Sequence, residues 1–132
     1  MPTTVLFIGQ QPDTVDFSDP ALPPGFDASK IKAGIAIGMA QMAERGWDAD
    51  LCLVAPDDTA VPQLQRQLQS KRYDCVVIGG GIRIPPNSLH LFERLLNTVH
   101  RLAPDAAIAF NTMPQDTAAA AERALAQRSP AP

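Results

Sequence analysis

The sequence predicts an α/β fold, a three-layer α/β/α sandwich on a four-stranded parallel sheet with strand order 2-1-3-4. Short apolar, β-type runs alternate four times with segments of helical periodicity. One run, at 73–78, is apolar at Cys75, Val76, Val77 and Ile78 without alternation, as expected for a parallel strand that helices cover on both faces. Each right-handed crossover places its helix over the sheet, and 2-1-3-4 is the compact order for four such units.

The first unit joins a strand at 4–9 to a helix that starts after Asp27, a suitable N-cap, and stops before Gly46. Gly34 and Gly38 form a small second face on this helix, which allows close approach to the sheet. Its apolar face has helical spacing and consists of Ile31, Ile35, Met39 and Met42.

The second unit has a strand at 50–55, turn residues at 56–59 and a one-sided helix that ends near Lys71. The third strand, 73–78, should be central. Strands two and three then flank strand one, about 9 to 10 Å apart, so Cys52 and Cys75 cannot form a disulfide. Both thiols are expected to be buried and unreactive, with raised pKa values.

The third helix is predicted at 88–102, with Asn87 or Ser88 as its cap. The main apolar stripe consists of Leu89, Phe92, Leu96 and Val99. Three further leucines, Leu91, Leu95 and Leu102, make the apolar surface wider than one sheet face requires, which leaves open a contact with a partner chain. A fourth strand at 106–110 and a helix at 115–128 complete the fold.

Length and composition favour one soluble domain at 1–128 with a short tail at 129–132. A chain of 132 residues leaves no room for two cores, and 45% hydrophobic residues exclude general disorder. The net charge of −3, without a basic stripe, gives no footprint for nucleic acid. No apolar run is long enough for a membrane span, and the N-terminus lacks a signal peptide, so we expect a cytoplasmic protein.

The predicted topology places a ligand site beyond the carboxyl ends of strands one and three, where the strand order reverses. The loop at 10–27 reaches this edge and is far longer than usual, which is typical of a lid. The alternative is a proline-stiffened flap that shields apolar surface with Phe17 and Phe26.

Gly79, Gly80 and Gly81 permit positive φ and can direct backbone N–H groups at an anion. Arg83 follows and can clamp a carboxylate or phosphate. Lys30 and Lys32 lie in a first helical turn, where the helix dipole disfavours cations, so a bound anion would relieve them. The alternative is an internal lock, in which these cations pair with acidic residues of the loop, Asp13, Asp16, Asp19 or Asp27.

Asn111 and Thr112 end the fourth strand and are predicted to orient the ligand, whereas Asp116 is expected to cap the last helix. Asp13 and Asp16 are the candidates for proton transfer, and their carboxylates also suit a divalent cation. No metal site is predicted, because the spacing of His90 and His100 on one helix, ten residues, prevents chelation.

Motifs for known cofactors are missing, so the cofactor is unknown and catalysis stays open. Residues 9–14 match neither the dinucleotide fingerprint nor the phosphate-binding P-loop, and Ile84 stands where the glycine run would need a small residue. A flavin loop, a phosphoacceptor aspartate after strand three and a nucleophile elbow are also absent.

Two blocks carry a resemblance: Tyr-Asp-Cys-Val-Val-Ile-Gly-Gly-Gly-Ile-Arg-Ile-Pro-Pro at 73–86 and Phe-Asn-Thr-Met-Pro at 110–114. With them the chain resembles an uncharacterised group of small single-domain Rossmann-like or flavodoxin-like α/β proteins. The resemblance implies the fold and no particular activity.

Two functions follow as hypotheses. In the first, the chain binds an anionic small molecule, a carboxylate or phosphate metabolite, at the carboxyl edge of the sheet. In the second, it is a non-catalytic interaction module that forms a homodimer through the helix at 88–102.

Overall fold

Four parallel strands form the sheet in the computed structural model, which describes residues 2–20, 22 and 24–128. They are β1 (Thr4–Gln10), β2 (Asp48–Val54), β3 (Cys75–Ile78) and β4 (Ala107–Phe110). Their order, β2-β1-β3-β4, confirms the predicted 2-1-3-4 topology. The predicted tail at 129–132 lies outside the described residues, as do residues 21 and 23 of the loop at 10–27.

Helices cover both faces of the sheet, which confirms the three-layer sandwich. The helices are α1 (Ala28–Glu44), α2 (Ala60–Ser70), α3 (Gly80–Arg83), α4 (Leu89–Leu102) and α5 (Thr117–Ala126). Helices α2 and α4 pack on one face around Leu64 and Leu95, and helices α1 and α5 pack on the other around Ile35 and Ala121. Short 3-10 turns occupy Pro12–Thr14, Pro86–Ser88 and Pro114–Asp116.

β3 is the buried interior strand that its unbroken apolar run predicts. Its side chains alternate between the two cores: Val76 and Ile78 belong to one, and Cys75 and Val77 belong to the other. Cys52 and Cys75 are both free, and they lie in strands separated by β1 and in opposite cores. The structure therefore bears out the prediction that they form no disulfide.

The start of α1 is also as predicted, because the Asp27 carboxylate accepts a hydrogen bond from the Lys30 N–H at 2.9 Å. The small face of α1 has a different partner from the one expected. A Cβ at Gly38 would lie 2.5 Å from the carbonyl oxygen of Pro114, and one at Gly34 would lie 2.9 Å from the Gln115 side chain. The two glycines therefore admit the Pro114–Asp116 turn rather than the sheet.

The predicted apolar face of α4 is correct except at one residue. Val99 is buried, and Phe92 and Leu96 are partly buried against the core, whereas Leu89 is 53% exposed. Leu91 and Leu95, predicted to widen the stripe, are buried as well, because α4 packs against both the sheet and α2. The expected cap is also absent: the side chain of Ser88, the residue at the cap position, makes no capping bond, and Leu89 N–H donates to the carbonyl of Pro86.

Candidate functional site

A cavity lies at the carboxyl ends of β1 and β3, where the strand order reverses. It has a volume of about 120 Å³ and is partly open to solvent. The loop at 10–27 and the glycines at 79–81 face each other across it. Its lining residues are Phe7, Gly9, Gln10, Val15, Leu22, Phe26, Ile31, Ile35, Gly79, Gly80, Gly81, Ile84, Pro85, Asn111, Thr112, Met113 and Pro114.

The wall on the α1 side is apolar. Phe7, Ile31 and Ile35 are core residues of the sheet face that α1 covers, and Val15 and Phe26 of the long loop pack partly against the same core. Phe26 therefore shields apolar surface, as the flap interpretation expected. Phe17 does not line the cavity and is 38% exposed.

The glycines at 79–81 act through close packing rather than through unusual backbone angles. Gly79 has a φ of −70°, and within the described residues only Gly25 and Gly46 have positive φ, so the predicted use of positive φ is wrong. A Cβ at Gly80 would lie 2.8 Å from the Thr112 carbonyl oxygen, whereas one at Gly81 would meet no atom within 4 Å. Gly80 thus lets the chain after β3 approach the chain after β4.

The backbone N–H groups of the three glycines differ in their partners. Gly79 N–H donates to the Ile8 carbonyl and Gly80 N–H donates to Asn111 Oδ1, both at 2.8 Å. Within residues 2–20, 22 and 24–128, no acceptor pairs with the Gly81 N–H. Only this N–H of the three is therefore open to a ligand.

Asn111 lines the cavity, but its amide is engaged within the fold. It is buried, and besides accepting from Gly80 it donates to Thr117 Oγ1 at 2.9 Å. Thr112 is engaged as well, because its hydroxyl and N–H both donate to the Asp116 carboxylate. Asp116 was expected to cap the last helix. Its carboxylate instead accepts hydrogen bonds from Thr112 and from the Met113 N–H, and it makes no cap bond to α5.

Arg83, predicted to clamp an anion, is absent from the cavity lining. Its guanidinium donates to the Asn111 carbonyl and lies over the Phe110 ring, 5.5 Å from the ring centroid. Its Nε is buried, and none of the residues that the structure describes supplies a hydrogen-bond partner for it. The side chain therefore ties α3 to the end of β4.

The two lysines of α1 contact the long loop. Lys32 Nζ lies 3.3 Å from Asp13 Oδ1, and both side chains are largely exposed. This pair is the arrangement that the internal-lock alternative expected. The Lys30 ammonium donates to the carbonyl of Gly25, a neutral acceptor. Lys30 itself does not line the cavity. Its chain neighbour Ile31 does, and so does Phe26, the neighbour of Gly25.

The acidic candidates for proton transfer, Asp13 and Asp16, are exposed and stand outside the cavity lining. Asp16 accepts hydrogen bonds from the Ser18 hydroxyl and N–H, and these hold the pKa of its carboxyl below the usual value. A general acid needs a raised pKa, so this environment suits a turn-stabilising carboxylate and not an acid catalyst.

Sequence reasoning missed most of the apolar lining. Ile31 and Ile35 were assigned to the helix face over the sheet. They reach the cavity because they lie near the N-terminal end of α1. Ile84 and Met113, 48% and 47% exposed, had no pattern around them. One signal was available for both residues: Ile84 directly follows Arg83, and Met113 directly follows Thr112, both predicted site residues.

Metal ligation has no support in the described part of the chain: no group of three or more His, Cys, Asp or Glu side chains there is arranged to hold an ion. His90 and His100 are exposed on α4.

Burial raises the pKa of the Cys52 thiol to about 11 and that of the Cys75 thiol to about 12, as predicted for buried thiols.

Comparison with known proteins adds no relative: no protein-family model and no curated protein matches the sequence. Among the helices of the described residues, none combines the length and apolar character that crossing a bilayer requires.

Proposed function

We propose that this chain binds a small molecule with an apolar body and one anionic group, a carboxylate or phosphate, at the carboxyl edge of its sheet. The cavity between the glycines at 79–81 and the loop at 10–27 is the observation that carries the proposal. Open α/β sheets hold their ligands at such a reversal of strand order. A cavity walled by Phe7, Phe26 and Ile35 favours an apolar body, because burying apolar surface drives binding.

The anionic group is assigned to the mouth of the cavity. Gly81 is exposed there with a free N–H, and the Lys30 ammonium is held by a neutral carbonyl that an anion would replace. Asn111 and Thr112 contribute shape to the lining, since their polar groups are already engaged. Arg83 has no part in the proposed site because its guanidinium is directed at Asn111 and Phe110.

Two fluorescent probes with the same ring system test both parts of the proposal. Anilinonaphthalene sulfonate is anionic, and phenylnaphthylamine is its neutral counterpart. We expect both to bind saturably at one site per chain, the sulfonate more tightly. Gly81→Leu should weaken both by at least about tenfold, because Gly81 lines the cavity and a Cβ there would meet no atom within 4 Å. Lys30→Gln should weaken only the sulfonate.

Ala119→Leu is the matched control, because Ala119 is exposed on α5 and is not one of the residues that line the cavity. It should leave both affinities unchanged. Absence of saturable binding to the unsubstituted protein, or equal binding by the Gly81→Leu variant, would overturn the cavity as a binding site. Equal affinities for the two probes would overturn only the proposal that the ligand carries an anionic group.

A further inference from the structure

β4 has one free edge. It is the last strand of the sheet, and within the described part of the chain it pairs only with β3. Ala107 N–H donates to the Asp74 carbonyl at 2.9 Å, which directs Ala107 toward β3. Because successive strand residues point their backbone groups to opposite sides, Ile108 and Phe110 direct theirs to the free edge. The four residues of β4 include no charge and no proline, the usual protection of an exposed edge.

Two backbone groups on this edge already have partners. Ala106 N–H donates to the Ala103 carbonyl at 3.1 Å, and the Phe110 carbonyl accepts from Arg123 Nη2 at 3.1 Å. For the Ile108 N–H and carbonyl, the Phe110 N–H and the Ala106 carbonyl, the described residues supply no partner. The edge thus presents two donors and two acceptors.

From this pattern we propose that a second copy of the chain docks on β4, with the two β4 strands antiparallel and Ile108 opposite Ile108. In that register the two Ile108 residues exchange two hydrogen bonds, and each Phe110 N–H donates to the Ala106 carbonyl of the other copy. The groups already taken, Ala106 N–H and the Phe110 carbonyl, fall opposite each other. Every free group on the edge is satisfied, and the two sheets join into one of eight strands.

An apolar flank of α4 borders this edge. The Phe92 ring lies against the Phe110 ring, 5.9 Å between centroids at an interplanar angle of 75°. Leu89 and Leu96 lie on the same side of the helix as Phe92, by the helical spacing of three and four residues. Leu89 is 53% exposed and Phe110 38% exposed, so the flank offers apolar area for a copy to bury.

Hydrogen-bond complementarity between side chains supports the same register. Ile108 lies about 6.6 Å before Phe110 along β4, which corresponds to about 4.4 residues of α4 counted from Phe92. The two-fold axis through Ile108 therefore passes close to Leu96, and Glu93 falls opposite His100 of the second copy. Both side chains are exposed. Each carboxylate can accept a hydrogen bond from an imidazole N–H, twice in the dimer.

Sedimentation velocity over a concentration series, on the full chain, tests the proposal. We expect a monomer–dimer equilibrium. His100→Glu, which places two carboxylates opposite each other, should raise the dimer dissociation constant by at least about tenfold. Adding Glu93→Arg to that variant places opposite charges face to face and should restore the dimer. His90→Glu is the control: the same change on the same helix, on a side turned away from the edge.

A monomer at every concentration would overturn the proposal. So would a dimer that His100→Glu leaves unchanged, a dimer that His90→Glu weakens equally, or a failure of the double variant to restore association. All of the substituted residues are exposed, so a circular dichroism spectrum should show the same fold in each variant.

Discussion

The buried side-chain amide of Asn111 accepts a hydrogen bond from the N–H of Gly80 at 2.8 Å. Through its other end it reaches Thr117 at the start of α5. One side chain thus fixes the ends of two neighbouring strands and the following helix around the cavity.

Replacing Asn111 with Ala should lower the free energy of unfolding by about 1–3 kcal/mol, because the Gly80 N–H is left buried without its acceptor. Urea titration measures the change. Asn97→Ala is the control, since exposed Asn97 donates only to a carbonyl of its own helix, and its effect should stay within about 0.5 kcal/mol. Equal losses in the two variants would contradict the bracing role of Asn111.

Gly80→Ala and Gly81→Ala should have opposite effects, although the residues are adjacent. At Gly80 the new methyl group would lie 2.8 Å from the Thr112 carbonyl oxygen, so the free energy of unfolding should fall by about 1–3 kcal/mol. At Gly81 the methyl group has open space and reduces the entropy of the unfolded chain, so stability should rise by about 0.4–1 kcal/mol. Thermal unfolding of both variants decides; a shift in the same direction would refute the close approach at Gly80.

The two glycines of α1 should also differ. Gly38→Ala directs a methyl group to 2.5 Å from the Pro114 carbonyl oxygen, which only a backbone shift can relieve, so we expect a loss of about 1–3 kcal/mol. Gly34→Ala meets the end of the flexible Gln115 side chain, which can rotate away. Alanine favours a helix over glycine by up to about 1 kcal/mol, so this variant should match or exceed the unsubstituted protein in urea denaturation. A larger loss at Gly34 than at Gly38 would count against the packing of α1 on the turn.

The buried thiols should make the protein less stable in alkali. Folding raises the pKa of Cys52 from 9.0 to about 11 and that of Cys75 to about 12, because burial disfavours the thiolate. The stability that these neutral thiols contribute is complete below pH 9 and is lost as the pH rises toward 11 and 12, by up to about 1.4 kcal/mol per pH unit for each thiol. Urea titrations at several pH values between those limits measure the slope.

The double variant Cys52→Ala, Cys75→Ala is the comparison for that slope. It loses packing at every pH, but its stability should decline less steeply in alkali. Part of the decline should persist, because burial also raises the pKa of Tyr73 to about 12. A thiol reagent should leave both cysteines of the native protein unmodified near neutral pH and modify both in urea. Equal slopes in the two proteins would show that the thiols do not cause the decline.

Periodicity and chain punctuation were sufficient to predict the strands, the cap of α1 and the order of the sheet. β3 shows why: four consecutive apolar residues can be buried only between two helical layers, and connections of this length allow few topologies. The exposure of Leu89 on α4 could not be predicted, because leucines occupy more than one side of that helix. Its contact with α2 decided which of them are buried.

The location of the cavity was likewise predictable from the strand order, whereas the roles of its polar neighbours were not. Arg83 bonds to a carbonyl 28 residues away and Gly80 to a side chain 31 residues away. No local pattern reports such a partner, so a cation that looked available for a ligand is in fact engaged in joining α3 to β4.

By itself the sequence determined which segments are strands and helices, in what order they pair and at which edge the cavity lies, because these depend on residue spacing along the chain. The tertiary structure alone decided which side chains of that edge are free. Hydrogen-bond partners such as Gly80 and Asn111 meet only after β3 and β4 lie side by side, and a polar group satisfied there is no longer available to a ligand.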